Sequence, residues 1–409
     1  MLDLVLINGP SPQLEDDCMA PPVGLIELAS YAELCKLNVK IIDAAGDVNF
    51  WDEVVPAKTY GFTVQSTQYL WVKNIIPKLR KMMDTKIVVG GHHVSALPNE
   101  SLNDLNVDYV VIGDGEKALI DIVNNTVPKG IIVGDKADIN HDYSINYGFI
   151  NFNKYNRHIN DLRAMTVMAS RGCPYNCHFC AKLPGKFRYR EANLVLQDIK
   201  YLRDTFDIHA IHFHDDNLLF PRHRAEIIAN GLKDLGIIWR CLTRSDSVDK
   251  DIIQLIKDCG CAEVCFGVES GSDKILKFLN KGITVEQNKR AVKLCREIGL
   301  NVDVYLMVNI PGETIEDLEL TKQFILDTKP TNWVVNSFIP TVGSKMWANP
   351  DKFGFKILNN DFTKFYSCGK HGRGGIVSIS ESGLSVDEVY RAREDLLDFL
   401  RKNVKSQYI

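Results

Sequence analysis

The strongest constraint on the fold is an alternation, repeated along most of the chain, of short continuous apolar runs with segments of helical period. Parallel strands buried on both faces give such Val/Ile/Leu runs, and each helix crossing between them carries one apolar stripe. In the first third, Leu2–Asn8, Val39–Asp43, Tyr60–Val64, Lys86–Val89 and finally Asp108–Ile112 read as strands, with helices at Pro22–Leu37 and Ile75–Met83. Gly and Asp gather just past the strand ends, at Asn8-Gly9-Pro10, Asp43-Ala44-Ala45-Gly46, Gly90-Gly91-His92-His93 and Gly113-Asp114-Gly115-Glu116. Open α/β sheets bind ligands outside those carboxyl ends, so this part reads as a ligand-binding module.

A second series starts at Ala164. Its strands are expected at Ala164–Ala169, Ala210–His214, Ile237–Leu242, Glu263–Val268, Asn301–Val308 and Asn332–Ile339. Helices are expected between them at Leu194–Asp204, Arg222–Leu235, Asp249–Cys259, Val285–Ile298 and Ile315–Asp327. That is about six strand–helix units, short of the eight that close a barrel. The expected class is therefore α/β: a doubly wound, Rossmann-like parallel sheet (1–134), a partial (β/α)6 TIM-type barrel (164–347) and a small C-terminal helical extension (348–409). Residues 135–163, rich in Asn, Asp, Tyr and His, read as a connector packing on the surface of the second series. The extension carries a Gly-rich run, Cys368–Gly375, and a helix, Ser385–Asn403, with Ser385 as N-cap.

Composition narrows the class. The chain has 409 residues, 45% of them hydrophobic and 24% charged, the values of an ordinary globular protein. A net charge of −4 gives no global pull on nucleic acid or anionic lipid. The start, MLDLVLINGP, lacks a basic region, and no 18-residue apolar stretch occurs, so a cytoplasmic protein is expected. In that compartment the 11 Cys read as thiols or metal ligands rather than a disulfide framework.

The most specific motif is Arg171-Gly172-Cys173-Pro174-Tyr175-Asn176-Cys177-His178-Phe179-Cys180, directly after the first strand of the second series. Three thiolates on one tight loop can wrap a small metal centre and leave a position open. Structural zinc sites close with four ligands, and ferredoxin runs supply a fourth Cys nearby, which is absent here.

This loop resembles the cluster loop of the radical S-adenosylmethionine (SAM) superfamily. The resemblance implies that Cys173, Cys177 and Cys180 hold three irons of a [4Fe–4S] cluster, and that the amino and carboxylate groups of SAM chelate the fourth. It also implies that Phe179 packs near the adenine and that the acidic pair Asp215-Asp216, ending the second strand, accepts the methionine ammonium. Arg244 would offer a cation to the methionine carboxylate. Glu269 and Ser270, in Gly267-Val268-Glu269-Ser270-Gly271, would lie near the ribose or methionine, with Lys281-Gly282 at the family's distance beyond them. Asn309 stands where relatives usually have Gly beside the adenine. His212 and His214 share a strand face and read as barrel lining rather than metal ligands, and Cys259, Cys261 and Cys265 read as buried thiols rather than a second cluster. Cys368, in the Gly-rich run, is a candidate for a substrate-side role.

The N-terminal part resembles the cobalamin-binding domain that precedes the radical domain in one branch of this superfamily. The matching residues are Pro21-Pro22-Val23-Gly24-Leu25, Asp43, Gly90-Gly91-His92-His93-Val94-Ser95 and Asp108–Glu116. Thr63-Val64-Gln65 and Gly90-Gly91, with 24 residues between, stand where such domains carry Ser-x-Leu and Gly-Gly. The resemblance implies that Thr63, Gln65, Gly90 and Gly91 contact cobalamin, the Gly pair letting its nucleotide tail approach the backbone. The loop Gly9–Asp17 lacks the Asp-x-His-x-x-Gly motif that supplies a lower histidine ligand.

What the resemblance implies is a cobalamin-dependent radical SAM enzyme that methylates an unactivated carbon of a small molecule, with flavodoxin or ferredoxin as electron donor. A non-methylating rearrangement, oxidation or cyclisation on the same architecture is the alternative. A non-catalytic iron–sulfur sensor or relay is more remote, because it has no use for the turns at Asp216, Arg244 and Glu269. A methylthiotransferase would need three Cys in the N-terminal part, where only Cys18 and Cys35 occur.

Overall fold

The computed structural model describes residues 1–11, 14, 16–46, 49–140, 144–181, 187–358, 361–367, 376–380 and 383–404. The chain divides into two compact units, one of Met1–Arg157 with Ala181–Lys186 and Asp361–Thr363, the other of His158–Cys180, Phe187–Asn360 and Lys364–Ile409.

In the first unit six parallel strands, β1 (Leu2–Asn8), β2 (Val39–Asp43), β3 (Ala57–Thr63), β4 (Lys86–Gly90), β5 (Tyr109–Ile112) and β6 (Gly130–Val133), lie in the order β2-β1-β3-β4-β5-β6. The chain reverses direction across the sheet between β1 and β3, which makes that point the natural ligand crevice. Helix Tyr69–Met82 buries Val72, Ile75, Ile76 and Leu79 against Val5, Ile7, Phe62 and Val89 of the sheet. Helix Val23–Leu34 stops short of the expected Leu37 because Lys36 turns left-handed at φ 65°.

Two expectations are corrected here. Asp108–Ile112 is not the last strand, since β6 pairs beside β5. At four residues, none of them buried, this edge strand is too short to stand out as an apolar run. The connector, through Arg157, belongs to the first unit and not to the second. Within it Asn146 N donates to Ser30 Oγ (2.8 Å), Lys154 Nζ to the Asp43 carbonyl (2.6 Å) and Arg157 Nε to the Met19 carbonyl (3.1 Å). Its anchors, Tyr147, Phe152 and Tyr155, are buried without a regular spacing and so leave no periodic signal.

The second unit opens with β7 (His158–Ile159) antiparallel to β8 (Leu162–Val167), and then a two-stranded ribbon of β9 (Ser170–Arg171) and β10 (Arg188–Tyr189). Then come β11 (Ala210–Phe213), β12 (Ile238–Thr243), β13 (Cys261–Glu269), β14 (Asn301–Val308) and β15 (Asn332–Ser337). The sheet order is β15-β14-β13-β12-β11-β8-β7, with the six strands from β8 to β15 parallel. The sheet curls without closing: Arg240 on β12 reaches over β13 to Asp303 on β14. Helices Arg222–Leu235 and Val285–Ile298 lie where the sequence places them, whereas the short helix Asp273–Phe278 was not expected. In the extension, β16 (Phe355–Ile357) pairs antiparallel with β17 (Ser378–Ser380), and Ser385 caps helix Val386–Asn403 in a capping box with Glu388. No helix among the described residues is long and apolar enough to cross a membrane.

Candidate functional site

The three-cysteine loop springs from the β9–β10 ribbon, and its base is fixed from below. Asp215, just past β11, accepts from Ala169 N (3.0 Å) and from Ser170 Oγ, while Arg224 donates to the carbonyls of Ala169 and Arg190, both at 2.7 Å. The middle of the loop rests on the segment that ends helix Asp273–Phe278. His178 N donates to the Leu279 carbonyl (2.9 Å), His178 Nδ1 meets the Phe278 carbonyl (3.1 Å), and Asn280 Nδ2 donates to the Asn176 carbonyl (2.7 Å). Met346 N donates to the His178 carbonyl from the other side (3.1 Å). Each such bond contributes about 0.5–1.5 kcal/mol net, and together they fix the loop's path.

The sequence pairs Asp215 with Asp216 as acceptors of one ligand, and here the structure differs. Asp215 is buried and spent on the loop base, its carboxyl pushed up to about 6 by burial, while Asp216 is exposed. Adjacent residues past a strand end face opposite ways, and Asp215 is the one that faces in.

Cys173 and Cys177 are half-buried and Cys180 is exposed. Even so, the protein around the Cys180 sulfur, then Asp216 and the other two thiols, push its pKa up to about 12. The three sulfurs thus feel one another. Three thiols on one loop fit a metal centre that keeps a further coordination position open, unlike a closed four-ligand zinc site. A bound metal would deprotonate these thiols outright.

Beside the loop, Glu269 ends β13 with a left-handed backbone (φ 64°) and receives Lys281 Nζ at 2.5 Å, both side chains buried. A Cβ on Gly267 would stand 2.7 Å from Glu269 Oε1 and 2.8 Å from Lys281 Nζ, so the pair fits because residue 267 is Gly. Lys281 Nζ lies 5.9 Å from the Phe179 ring centre, and Phe179 packs on the cluster of Ile275, Leu279, Met307 and Phe338. Lys281, quoted in the family's motif without a role, is the residue that sequence reasoning missed. Its spacing of 12 from Glu269 was the available signal.

Three other site residues are engaged differently from expectation. Arg244 is not turned out as a ready cation. Its Nε and Nη2 bind Asp246 (3.0 and 2.8 Å), Nη2 also donates to the Lys281 carbonyl (2.8 Å), and Tyr175 covers its face. Ser270 is fully buried, its hydroxyl near Thr321 Oγ1 and accepting from Ser272 N, so it braces the turn. Asn309 holds φ 65°, the conformation that explains Gly in relatives and that Asn tolerates. Its Nδ2 donates to the Ser378 carbonyl (3.1 Å) and its backbone N–H to Glu313 Oε2 (2.9 Å), which holds the turn in place. Cys265, by contrast, lies in a charged nest, its Sγ 2.9 Å from Arg240 Nη2 beside Glu263 and Asp303. Arg240 is already the cation of that nest. Cys368 lies outside the described residues.

In the first unit Thr63 and Gln65 come at the end of β3 and Gly90-Gly91 at the end of β4, all at the carboxyl edge beside the reversal point. Gln65 is exposed in a capping box with Gln68, and a Cβ on Gly90 would meet nothing nearer than 4.0 Å, so this edge leaves room for a large ligand against the backbone. Gly91 has a different reason to be Gly. Its φ is +106°, and a Cβ there would lie 3.1 Å from Val64 N and O. His93 is buried against Tyr69 (4.5 Å) and Phe362 (4.6 Å), with Nδ1 3.0 Å from Ser66 Oγ, and burial lowers its pKa to about 4.

Comparison with known proteins gives the same two parts. The radical SAM superfamily model matches residues 167–325 and the B12 binding domain model residues 19–123. An uncharacterized methyltransferase of Pyrococcus horikoshii is 29% identical over 379 residues, covering 83% of this chain and 79% of its own. The anaerobic magnesium-protoporphyrin IX monomethyl ester cyclase of Rubrivivax gelatinosus is 26% identical, covering 69% of this chain and 56% of its own. Among solved structures, the radical SAM methyltransferase TsrM of Kitasatospora setae, bound to cobalamin and a [4Fe–4S] cluster, superposes with a TM-score of 0.76. It is 17% identical and covers 98% of this chain and 91% of its own. The chain belongs to the radical SAM superfamily, in the branch that carries a B12-binding domain ahead of the radical SAM domain. Its cofactors are accordingly a [4Fe–4S] cluster, SAM and cobalamin.

Proposed function

We propose that this enzyme is a methyltransferase that transfers a SAM-derived methyl group to an unactivated carbon of a small molecule. The observation that carries the reading is the three-thiol loop docked on Phe278–Lys281, next to the buried Glu269–Lys281 pair, in a chain that also has a B12-binding domain. The methyltransferase relative spans most of both chains, whereas the cyclase relative aligns over little more than half of its own length, which favours methylation over the cyclising alternative.

When bound, the cofactors supply one-electron cleavage of a sulfonium and a transferable methyl group. Cys173, Cys177 and Cys180 would hold the cluster, and exposed Asp216 would accept the SAM ammonium. Lys281 would give its charge to the SAM carboxylate, and Glu269, held by Lys281, would accept from the ribose. Phe179 would pack beside the adenine, approached by the Asn309 backbone. Thr63, Gln65 and Gly90 would line the corrinoid side. Free thiols and an oxygen-labile centre suit a reducing cytoplasm, with flavodoxin or ferredoxin as donor.

Anaerobic reconstitution with iron, sulfide and hydroxocobalamin tests the proposal. It predicts about one corrinoid per chain in the visible spectrum, and methyl label passing from SAM to product. Deoxyadenosine formation without methyl transfer to any product would overturn it.

A further inference from the structure

Arg244 sits at the junction of three elements. Its guanidinium carbon lies 3.6 Å from the centre of the Tyr175 ring, and Tyr175 lies between the first two cysteines of the loop. Its Nη2 donates to the Lys281 carbonyl on the segment that receives the rest of the loop, and a carboxylate fork from Asp246 fixes its plane. Gly282 approaches Nη2 from the far side, where a Cβ would stand 4.0 Å away. Arg244 is buried and Cys177 is among its charge neighbours. A planar guanidinium can stack on a ring and donate in its own plane at once, and an ammonium cannot.

We propose that Arg244 is a positioning residue of the cluster loop: it clamps Tyr175 to the Lys281 turn and offsets the Asp246 carboxylate next to the loop, so that a cluster bound there is easier to reduce than beside an unpaired Asp246. The proposal rests on the radical SAM reading. It replaces a ligand contact for Arg244 with two separable effects, a clamp that needs the planar fork and a field that needs only charge. Burial weakens screening, so the field reaches the cluster.

The test uses the full chain, reconstituted anaerobically, as wild type, Arg244→Lys, Arg244→Gln and Tyr175→Leu. Two readouts are taken without substrate: the reduced-to-oxidised ratio of the cluster by electron paramagnetic resonance at fixed potential, and the rate of iron loss to a chelator. Arg244→Gln is expected to lower the ratio about tenfold, which for one electron is about 59 mV. Arg244→Lys and Tyr175→Leu, which keep the charge, are expected to hold the wild-type ratio but lose iron several-fold faster. An unchanged ratio in Arg244→Gln would overturn the field. Unchanged iron loss in both Arg244→Lys and Tyr175→Leu would overturn the clamp, and these two variants still decide it if Arg244→Gln does not fold. Failure of the wild type to take up a cluster would sink the family reading instead, before any variant is compared.

Discussion

Lys281 Nζ and Glu269 Oε1 meet at 2.5 Å over the one position, Gly267, that leaves room for them. Both side chains are buried, so neither charge can be removed without stranding the other. Lys281→Met should therefore destabilise the second unit by about 3–5 kcal/mol, more than Lys281→Met combined with Glu269→Gln. Urea unfolding of the two variants checks this. The single variant should also bind SAM more weakly, read as a smaller SAM-induced change in the cluster's paramagnetic signal.

Gly267→Ala tests the same pair without altering any charge. The added methyl meets both charged atoms at under 3 Å, so the Glu269–Lys281 contact must shift. The expected result is a loss of SAM response comparable to Lys281→Met, with a stability cost of about 1–3 kcal/mol from overpacking. A variant with unchanged SAM response would show that the pair does not set the cofactor site.

Asp215 and Asp216 should separate cleanly on mutation. Asp215→Ala removes the acceptor for Ala169 N and Ser170 Oγ at the loop base, a cost of about 1–3 kcal/mol for buried donors left unpaired. It should release iron faster. Asp216→Ala removes an exposed carboxylate, so iron retention should stay at the wild-type level while SAM affinity falls. Iron retention under chelator challenge, with SAM titrated in parallel, distinguishes the two.

The sequence announced what is local and left out what is not. Strand–helix alternation located both sheets, and the spacing of Cys173, Cys177 and Cys180 located the loop, because each is written in consecutive residues. The sequence pairs Asp215 with Asp216 and does not say that one of them turns inward. That depends on Ala169, 46 residues away. Arg244 looked like a ligand contact because its partners, Tyr175 and the Lys281 carbonyl, are 69 and 37 positions distant. The positive φ at Asn309 was half-legible, since a residue standing in for Gly in a turn must tolerate that conformation.

His93 should make the first unit acid-sensitive. Its folded pKa of about 4 is below the unfolded value near 6.5, because Tyr69, Phe362 and the helix turn around it exclude water from the imidazolium. Between those values the unfolded chain binds more protons than the folded one. The stability contribution is therefore fully present above about pH 6.5 and falls as pH drops, by up to about 1.4 kcal/mol per unit and about 3 kcal/mol in all. His93→Phe keeps an aromatic ring against Tyr69 and removes the titrating group. Hydrogen exchange in helix Tyr69–Met82 should accelerate from about pH 7 to about pH 5, after correction for intrinsic rates, in the wild type and far less in His93→Phe. Equal acceleration in both would assign the acid sensitivity to other groups of the unit.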